Sequence, residues 1–229
     1  MLPAMPDTGH AWADLVSLAV HELRTPVSVA SGYVKMVLGG HGGPLSDAQR
    51  GALAAADQSN AKAIELLAEL SELARLETGR MALSTGRVTI EDLLADAVAR
   101  FSPPLGSPVR CFAPGPVPPV TIDGDRTRLA RALAVLAAAS SRNRPQAPAI
   151  VLSAHVRAGH VALLAAAATI EVPAGAADTD DLGPLPETEG GLGVGLPLAR
   201  VIVHLSGGRI GVPRGGDARG EFAVVLPLA

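Results

Sequence analysis

Residues 21–26 read HELRTP and bring groups capable of acid–base or nucleophilic chemistry next to one another. His21 supplies an imidazole, Glu22 a carboxylate, and Thr25 a hydroxyl group about one helical turn further on. An imidazole with an ordinary pKa of about 6.5 keeps a nucleophilic lone pair at neutral pH. A lone histidine is also compatible with a core or solvated residue, a metal ligand, or a general base. The other histidines show no metal-ligand spacing, so we assign no metal-binding residue: His10, His41, His155, His160 and His204.

The apolar periodicity around this motif predicts one long helix that ends in the glycine-rich stretch GGHGGP, residues 39–44. His21 and Thr25 lie one turn apart on a flank of the apolar stripe. Pro26 should kink the helix beside them. The stripe consists of Leu15, Leu18, Ala19, Val29, Ala30, Tyr33, Met36 and Val37.

A second helix is predicted to begin at Ser46, because Gln49 stands three residues later and completes a capping box. Gly79 is predicted to end it as a C′ glycine. Its apolar stripe consists of Leu53, Ala56, Ala63, Leu67, Leu70 and Ala74. The two helices form a hairpin over residues 11–78. Since the hairpin cannot bury both stripes alone, we expect two chains to form a dimeric four-helix bundle.

The composition and the periodicity of the sequence change after a linker at residues 79–87. Proline and glycine punctuate 103–119 and 173–193, and helical patterns alternate with short β-like runs. The pattern predicts a second domain at residues 88–229, an α/β sandwich of helices on a mixed sheet, so that the chain is α+β overall. The predicted helices are 90–100, 125–140 and 192–205, and the predicted strands are 109–112, 149–156, 208–212 and 221–227.

Composition excludes several classes of protein. The formal net charge is −3, and no basic block is present, so we expect no nucleic-acid partner. Cys111 is the single cysteine, which fits a reducing compartment, and we expect a cytoplasmic location. The first residues, MLPAMPDTGHAWADL, lack the pattern of a signal peptide. The longest apolar run, at 161–170, is too short to span a bilayer, so any spanning segment would belong to a partner.

The motif and its hairpin resemble a known family. HELRTPVSVASGY, followed by a hairpin that ends in LARLETGR, resembles the dimerisation and phosphoacceptor domain of bacterial two-component sensor histidine kinases. The downstream half is similar to the ATP-binding domain of the same family. The segments that carry this second similarity are GDRTRLARALAVL, GGLGVGLPLARVIVHLSGGRI and GEFAVVLPL. The resemblance runs from about residue 11 to the end of the chain.

The resemblance implies roles for the first motif. His21 would be the phosphoacceptor, and Glu22 would polarise its ring and take up its proton. Thr25 would orient the water that hydrolyses a phosphorylated receiver domain. The implied partners are a second copy of the chain, the receiver domain of a response regulator, and an upstream sensor protein.

The second half departs from the pattern of the family at the nucleotide site. Ala139 occupies the place of an asparagine that helps to hold magnesium. The first glycine box, Asp-x-Gly-x-Gly in the family, falls on Ala165, Ala167 and Thr169, or in a later register on Glu171, Pro173 and Gly175. The segment before residue 190 is acidic and would repel a triphosphate. Only Gly191, Gly193 and Gly195 keep the second glycine box, either as a vestigial nucleotide site or as a packing loop.

These observations favour a histidine-kinase-like protein that transfers or removes phosphoryl groups on a response regulator, with an eroded nucleotide site and no firm cofactor. An ordinary autophosphorylating kinase is the alternative. It would need ATP and Mg²⁺, with Glu171 replacing the aspartate. A non-catalytic scaffold that sequesters a regulator is the third interpretation. The three groups of the HELRTP motif count against it, because a scaffold needs none of them.

Overall fold

The computed structural model describes residues 8–103, 109–157, 159–168, 178–185, 193–214 and 220–229. It divides into two compact units, with the boundary between Ala82 and Leu83. Each unit is considered by itself below. Within the described residues, no helix combines the length and the apolar composition needed to cross a membrane.

The first unit is a hairpin of two long helices, α1 (Thr8–Leu38) and α2 (Asp47–Glu77). α1 continues through Pro26. The start of α2 is fixed locally, as predicted: the Ser46 hydroxyl accepts from the Gln49 N–H, and the Gln49 side chain accepts from the Ser46 N–H. At its end, Gly79 adopts a left-handed φ of 66° and donates its N–H to the Leu76 carbonyl. These caps satisfy backbone groups that a helix end leaves without partners.

α1 carries two apolar rows, and only one of them is buried in the single chain. Ala13 and Val20 are almost fully buried, and buried Ser31 donates to Asp57 of α2 at 3.5 Å. The stripe predicted from the sequence lies on other faces of the helix and is exposed. Its large exposed side chains are Leu15, Leu18, Val29, Tyr33 and Met36. The hairpin therefore leaves the predicted apolar stripe of α1 uncovered.

The second unit is a mixed sheet with helices packed on it. Its helices are α3 (Ile90–Arg100), α4 (Arg126–Asn143) and α5 (Gly195–Leu205). Its strands are β1 (Gly86–Thr89), β2 (Arg110–Phe112), β3 (Thr121–Gly124), β4 (Ala149–Arg157), β5 (His160–Ala168), β6 (Asp178–Gly183), β7 (Arg209–Arg214) and β8 (Glu221–Pro227). β1 and β3 pair in a small antiparallel sheet, and the six-stranded sheet has the order β2-β4-β5-β8-β7-β6. The α+β fold predicted from the sequence is confirmed.

The core of this unit lies between the helices and the large sheet. α4 packs on β4, β5 and β8, and α5 packs on β7. The largest fully buried side chain is Phe222 of β8, and Leu133, Leu136 and Leu198 are almost completely buried on the helices. These leucines follow the helical period that the sequence displays, which is why α4 and α5 lie close to their predicted positions.

β6 corrects the prediction for residues 173–193, which the sequence presented only as a segment rich in glycine, proline and acid. Asp178–Gly183 forms an edge strand that pairs antiparallel with β7. Gly211 makes this pairing feasible, because a side chain there would overlap the Gly183 carbonyl. The strand lacks alternating apolar residues, so its formation depends on the backbone edge that β7 offers.

Candidate functional site

His21 lies near the middle of α1, where the helix presents it to solvent. Its side chain is 82% exposed, and that of Glu22 is 71% exposed. The His21 Nδ1 and Glu22 Oε1 atoms are 3.4 Å apart, a long contact that a small rotation of either side chain would shorten. An exposed imidazole with an adjacent carboxylate can be reached by a partner domain that carries a phosphoryl group.

Thr25 is also exposed and lies one turn after His21, on the same flank of α1. The flank is separate from the row of α1 that contains the buried residues Ala13 and Val20. The helix therefore brings the imidazole and the hydroxyl to one accessible surface, as the sequence predicted. The geometry is compatible with one group binding a phosphoryl group and the other positioning a water molecule beside it.

In the second unit, α4 packs directly on the sheet at Ala139, the position where the resemblance implies a magnesium-holding asparagine. Ala139 is 1% exposed, and the neighbouring Ser140 is fully buried. The Ser140 hydroxyl donates to the Ala165 carbonyl of β5 at 3.1 Å. The α4 helix and β5 are therefore in direct contact at Ser140 and Ala165.

The expected first glycine box is continuous strand in its earlier register. Ala165 pairs with Leu152 of β4 and Phe222 of β8, and it is 1% exposed. Ala167 continues β5 and donates its N–H to the Gly220 carbonyl. Neither residue supplies a carboxylate. Thr169 and the later register of Glu171, Pro173 and Gly175 lie outside the described residues.

Arg144 and Glu221 are two charged residues that interact near the start of β8, and neither was predicted as a site residue. The Arg144 side chain lies against Gly220, where an added Cβ would come within 2.8 Å of its Cγ atom. Burial raises the pKa of Glu221, and the charge of Arg144 partly offsets that effect. The Arg144 side chain thus covers the start of β8, beside Ala167. Apart from the RNRP stretch at 142–145, no sequence pattern indicates this contact.

The second glycine box is described only in part. Gly193 has a left-handed φ of 55° in the turn before α5, and Gly195 is the first, buried residue of that helix. Gly191 lies outside the described residues. Val194 provides no side-chain cap, so the first N–H groups of α5 have no side-chain acceptor from that residue. A turn and a helix start are therefore present at the predicted place.

The acidic segment before this box is partly engaged in structure. Asp178, Asp180 and Asp181 belong to β6. The Asp181 carboxylate forms an ion pair with Arg214 of β7, with 3.3 Å between Oδ1 and Nε. Glu187 and Glu189 lie outside the described residues. The carboxylate of Asp181 thus contributes to the pairing of two strands at the sheet edge.

Asp125 is a second residue that the sequence did not single out. It is almost fully buried before α4, and its carboxylate accepts from the backbone N–H groups of Arg128 and Ser84 and from the Arg128 side chain. Burial alone would raise its pKa, but these hydrogen bonds lower the pKa of Asp125 overall. An aspartate before a helix signals an N-cap, but nothing in the sequence indicates its contact with Ser84.

Comparison with known proteins matches residues 11–79 to the His Kinase A (phospho-acceptor) domain. The chain is 27% identical over 225 residues to the sensor protein KdpD of Escherichia coli K12, which covers 93% of the chain and 24% of that protein. It is 27% identical over 219 residues to the sensor protein DivL of Caulobacter vibrioides, covering 93% of the chain and 28% of that protein. The chain thus spans about a quarter of the length of these two relatives.

Solved structures share the fold. Full-length ShkA in complex with AMPPNP has a TM-score of 0.68 at 24% identity, covering 94% of the chain and 46% of ShkA. The Acinetobacter baumannii histidine kinase AdeS has a TM-score of 0.51 at 17% identity, covering 91% of the chain and 98% of that structure. The matches to the phospho-acceptor domain and to the two sensor proteins confirm the resemblance to sensor histidine kinases that the sequence predicted.

Proposed function

We propose that this chain, which belongs with the bacterial sensor histidine kinases, transfers or removes phosphoryl groups on a response regulator through His21 and binds ATP weakly or not at all. The observation that carries the proposal is the exposed His21, with Glu22 and Thr25 beside it, inside a segment that matches the phosphoacceptor family. The activity of the whole protein is part of this proposal, because the chain spans only a fraction of its relatives.

In the proposed transfer, a lone pair of the His21 imidazole attacks the phosphorus atom of the receiver's acyl phosphate. The bond from phosphorus to the receiver carboxylate breaks as the bond from phosphorus to nitrogen forms. Glu22, whose Oε1 atom lies 3.4 Å from Nδ1, holds the ring tautomer and accepts the ring proton. In the proposed dephosphorylation, Thr25 positions a water molecule for attack on the same phosphorus atom. Catalysis would then rest on positioning, with Mg²⁺ supplied by the receiver.

The weak binding of ATP is supported by the contact between α4 and β5. Ala139, which the resemblance places where the family has its asparagine, is buried, and the neighbouring Ser140 is hydrogen-bonded to Ala165, the first position of the expected glycine box. An adenine amino group without its carboxylate partner costs about 1–3 kcal/mol. Loss of the asparagine weakens the clamp on the phosphates as well, so affinity should fall by a factor on the order of 10² or more.

The partner in assembly is proposed to be a second copy of the chain. Apolar residues in α1 recur at alternating intervals of four and three residues, the spacing of a helix–helix seam: Trp12, Val16, Ala19, Leu23, Pro26, Ala30, Tyr33 and Val37. Leu23 and Tyr33 are 52% and 63% exposed in the single chain. Burial of this seam in a four-helix bundle would remove them from water.

An autophosphorylating kinase is the second candidate, and one observation favours it. ShkA, which shares the fold over 94% of this chain, was solved with AMPPNP, a nucleotide. A kinase of this kind would transfer the γ-phosphoryl group of ATP to His21. The two candidates differ in the source of the phosphoryl group, so one set of measurements separates them.

The test uses purified receiver domains labelled with ³²P from a small-molecule phosphodonor, incubated with the chain and, separately, [γ-³²P]ATP with Mg²⁺. We expect label to reach the wild-type chain from a receiver and not from ATP. His21→Ala should abolish capture. Thr25→Ala should retain capture and slow the loss of label as inorganic phosphate. Ser28→Ala, exposed on the same helix, is the matched control and should behave as wild type.

Two outcomes would overturn parts of this proposal. Label on His21 from ATP, together with low-micromolar binding of ATP in calorimetry, would favour the autokinase. Capture that persists in His21→Ala would remove the histidine from the chemistry altogether. Tight binding of a receiver with no movement of label would instead favour a scaffold.

A further inference from the structure

Strand β7 is paired differently along its two halves. Arg209–Gly211 pairs with Ala223–Val225 of β8, whereas Val212–Arg214 pairs only with β6 among the described residues. Pro213 has no N–H group to donate, and the register between β6 and β7 shifts once along the pairing. Since a pairing of two strands alone is marginally stable, the pairing of β6 with the second half of β7 is weak.

β6 and the two residues after it, Asp178–Leu185, form what we call the edge segment, which lies partly across β7. β6 contacts β8 as well as β7, although β7 separates the two strands in the sheet. Gly211 permits this crossing, because a side chain there would overlap the Gly183 carbonyl and the Leu182 Cβ atom. Leu182 is half-buried, and Leu185 is only 3% exposed. The edge segment is therefore attached through backbone contacts and two leucine side chains.

The charged contact of the edge segment adds little to this attachment. Asp181 Oδ1 and Arg214 Nε are 3.3 Å apart, but the side chains of Asp181 and Arg214 are 60% and 65% exposed. Exposed ion pairs contribute little net free energy, because water screens the charges and two long side chains lose freedom. Segments with few buried contacts open at a lower free-energy cost than global unfolding requires. We therefore expect the edge segment to detach while the rest of the sheet stays folded.

We propose that the second half of β7 is a docking edge for an extended segment of a partner protein, and that the edge segment occupies it as an intramolecular competitor. An added strand obtains affinity from its backbone and specificity from its side chains. The edge segment defines the chemistry that fits: an acidic residue that pairs with Arg214, an apolar residue next to it, and a second apolar residue three positions further on. In the chain these are Asp181, Leu182 and Leu185. The proposal does not depend on the chemistry at His21.

The probe is a fluorescein-labelled peptide with the sequence of the edge segment, DTDDLGPL, titrated against the full chain by fluorescence anisotropy. Leu185→Ser weakens the chain's own edge segment and leaves β7 unchanged. We expect this variant to bind the peptide about 10-fold or more tightly than the wild type, because the competitor loses a buried leucine. Leu205→Ser is the matched control, since Leu205 is 47% exposed on α5, and it should bind as weakly as the wild type.

Charge and side-chain variants test whether the peptide binds in the way that the edge segment does. Asp181→Arg changes only an exposed side chain, so the fold is retained, and affinity for the peptide should rise about 2–5-fold. In the Leu185→Ser background, Arg214→Glu should weaken binding, and a peptide with arginine in place of Asp181 should restore it. A peptide with serine in place of both leucines should not bind. Equal binding of the serine peptide would show nonspecific adhesion and overturn the proposal.

Amide hydrogen exchange locates the binding. In Leu185→Ser, exchange should accelerate in Val212–Arg214 and stay at the wild-type rate in β5 and β8, and the peptide should reverse the change. Loss of protection in β8 would show that the edge segment is an integral part of the core and cannot be exchanged. Equal affinity of Leu185→Ser, Leu205→Ser and the wild type for the peptide would also overturn the proposal. In the Tyr33→Asp background, self-association of Leu185→Ser that the peptide reverses would assign the edge to a second copy and overturn the assignment to a partner protein.

Discussion

Replacement of Ala139 by asparagine distinguishes a closed nucleotide site from a functional one. In the family pattern an asparagine belongs at this position, so a working pocket would accept it and gain affinity for the nucleotide. In the structure, Ala139 is 1% exposed, and Ser140 beside it is hydrogen-bonded to β5. We therefore expect Ala139→Asn to destabilise the second unit without restoring binding of ATP.

The size of the effect follows from two costs. Forcing a larger side chain into a packed site costs about 1–3 kcal/mol. A buried amide without partners costs about 1–3 kcal/mol more. The sum of about 2–6 kcal/mol corresponds to a fall in Tm of about 5–20 °C for a unit of this size. It is a large part of the total stability of an ordinary domain.

Ala138→Asn is the control, because Ala138 precedes it on α4 and is only half-buried. Both variants lose the same helix propensity, about 0.5 kcal/mol, and only Ala139→Asn adds the cost of burial. Calorimetric unfolding and titration with ATP and Mg²⁺ give both readouts. Equal Tm values in the two variants, with micromolar ATP binding gained in Ala139→Asn, would refute the closed-site reasoning.

Three further predictions concern assembly, pH and the hairpin. Tyr33→Asp should convert a dimer to monomer in sedimentation, because it places a charge in the apolar seam of α1. Ser28→Asp, at an exposed position outside both the predicted stripe and that seam, should leave the dimer intact, and equal effects of the two would contradict the seam. Burial, and then the charge of Arg157, lowers the pKa of His155 in the folded chain. When the pH falls below about 6.5, His155 therefore takes up a proton more readily in the unfolded chain than in the folded chain. The free energy of unfolding should therefore decrease from pH 7 to pH 5, and His155→Gln should flatten that decrease in urea titrations; an unchanged slope would exclude His155 as its source. Ser46→Ala should cost about 0.5–2 kcal/mol, because it removes the cap of α2, and thermal unfolding of the hairpin would detect it.

Features that depend on neighbouring residues along the chain could be predicted from the sequence. The HELRTP motif fixed which groups share one flank of α1, because residues four apart on a helix are neighbours. The capping box of Ser46 and Gln49 fixed the start of α2, and Gly79 marked its end. α4 and α5 were predictable because their leucines repeat with the helical period.

Contacts between residues that are distant in the chain could not be predicted from the sequence. β6 pairs with β7 through its backbone, which has no apolar signature, so its sequence resembled a loop. The hydrogen bond from Ser140 to Ala165 spans 25 positions, and that from Ser84 to Asp125 spans 41. Likewise, periodicity revealed that α1 is apolar, but packing against α2 decided which row is buried. Local patterns carry propensity and capping, whereas the partner of a buried polar group depends on the way distant segments meet.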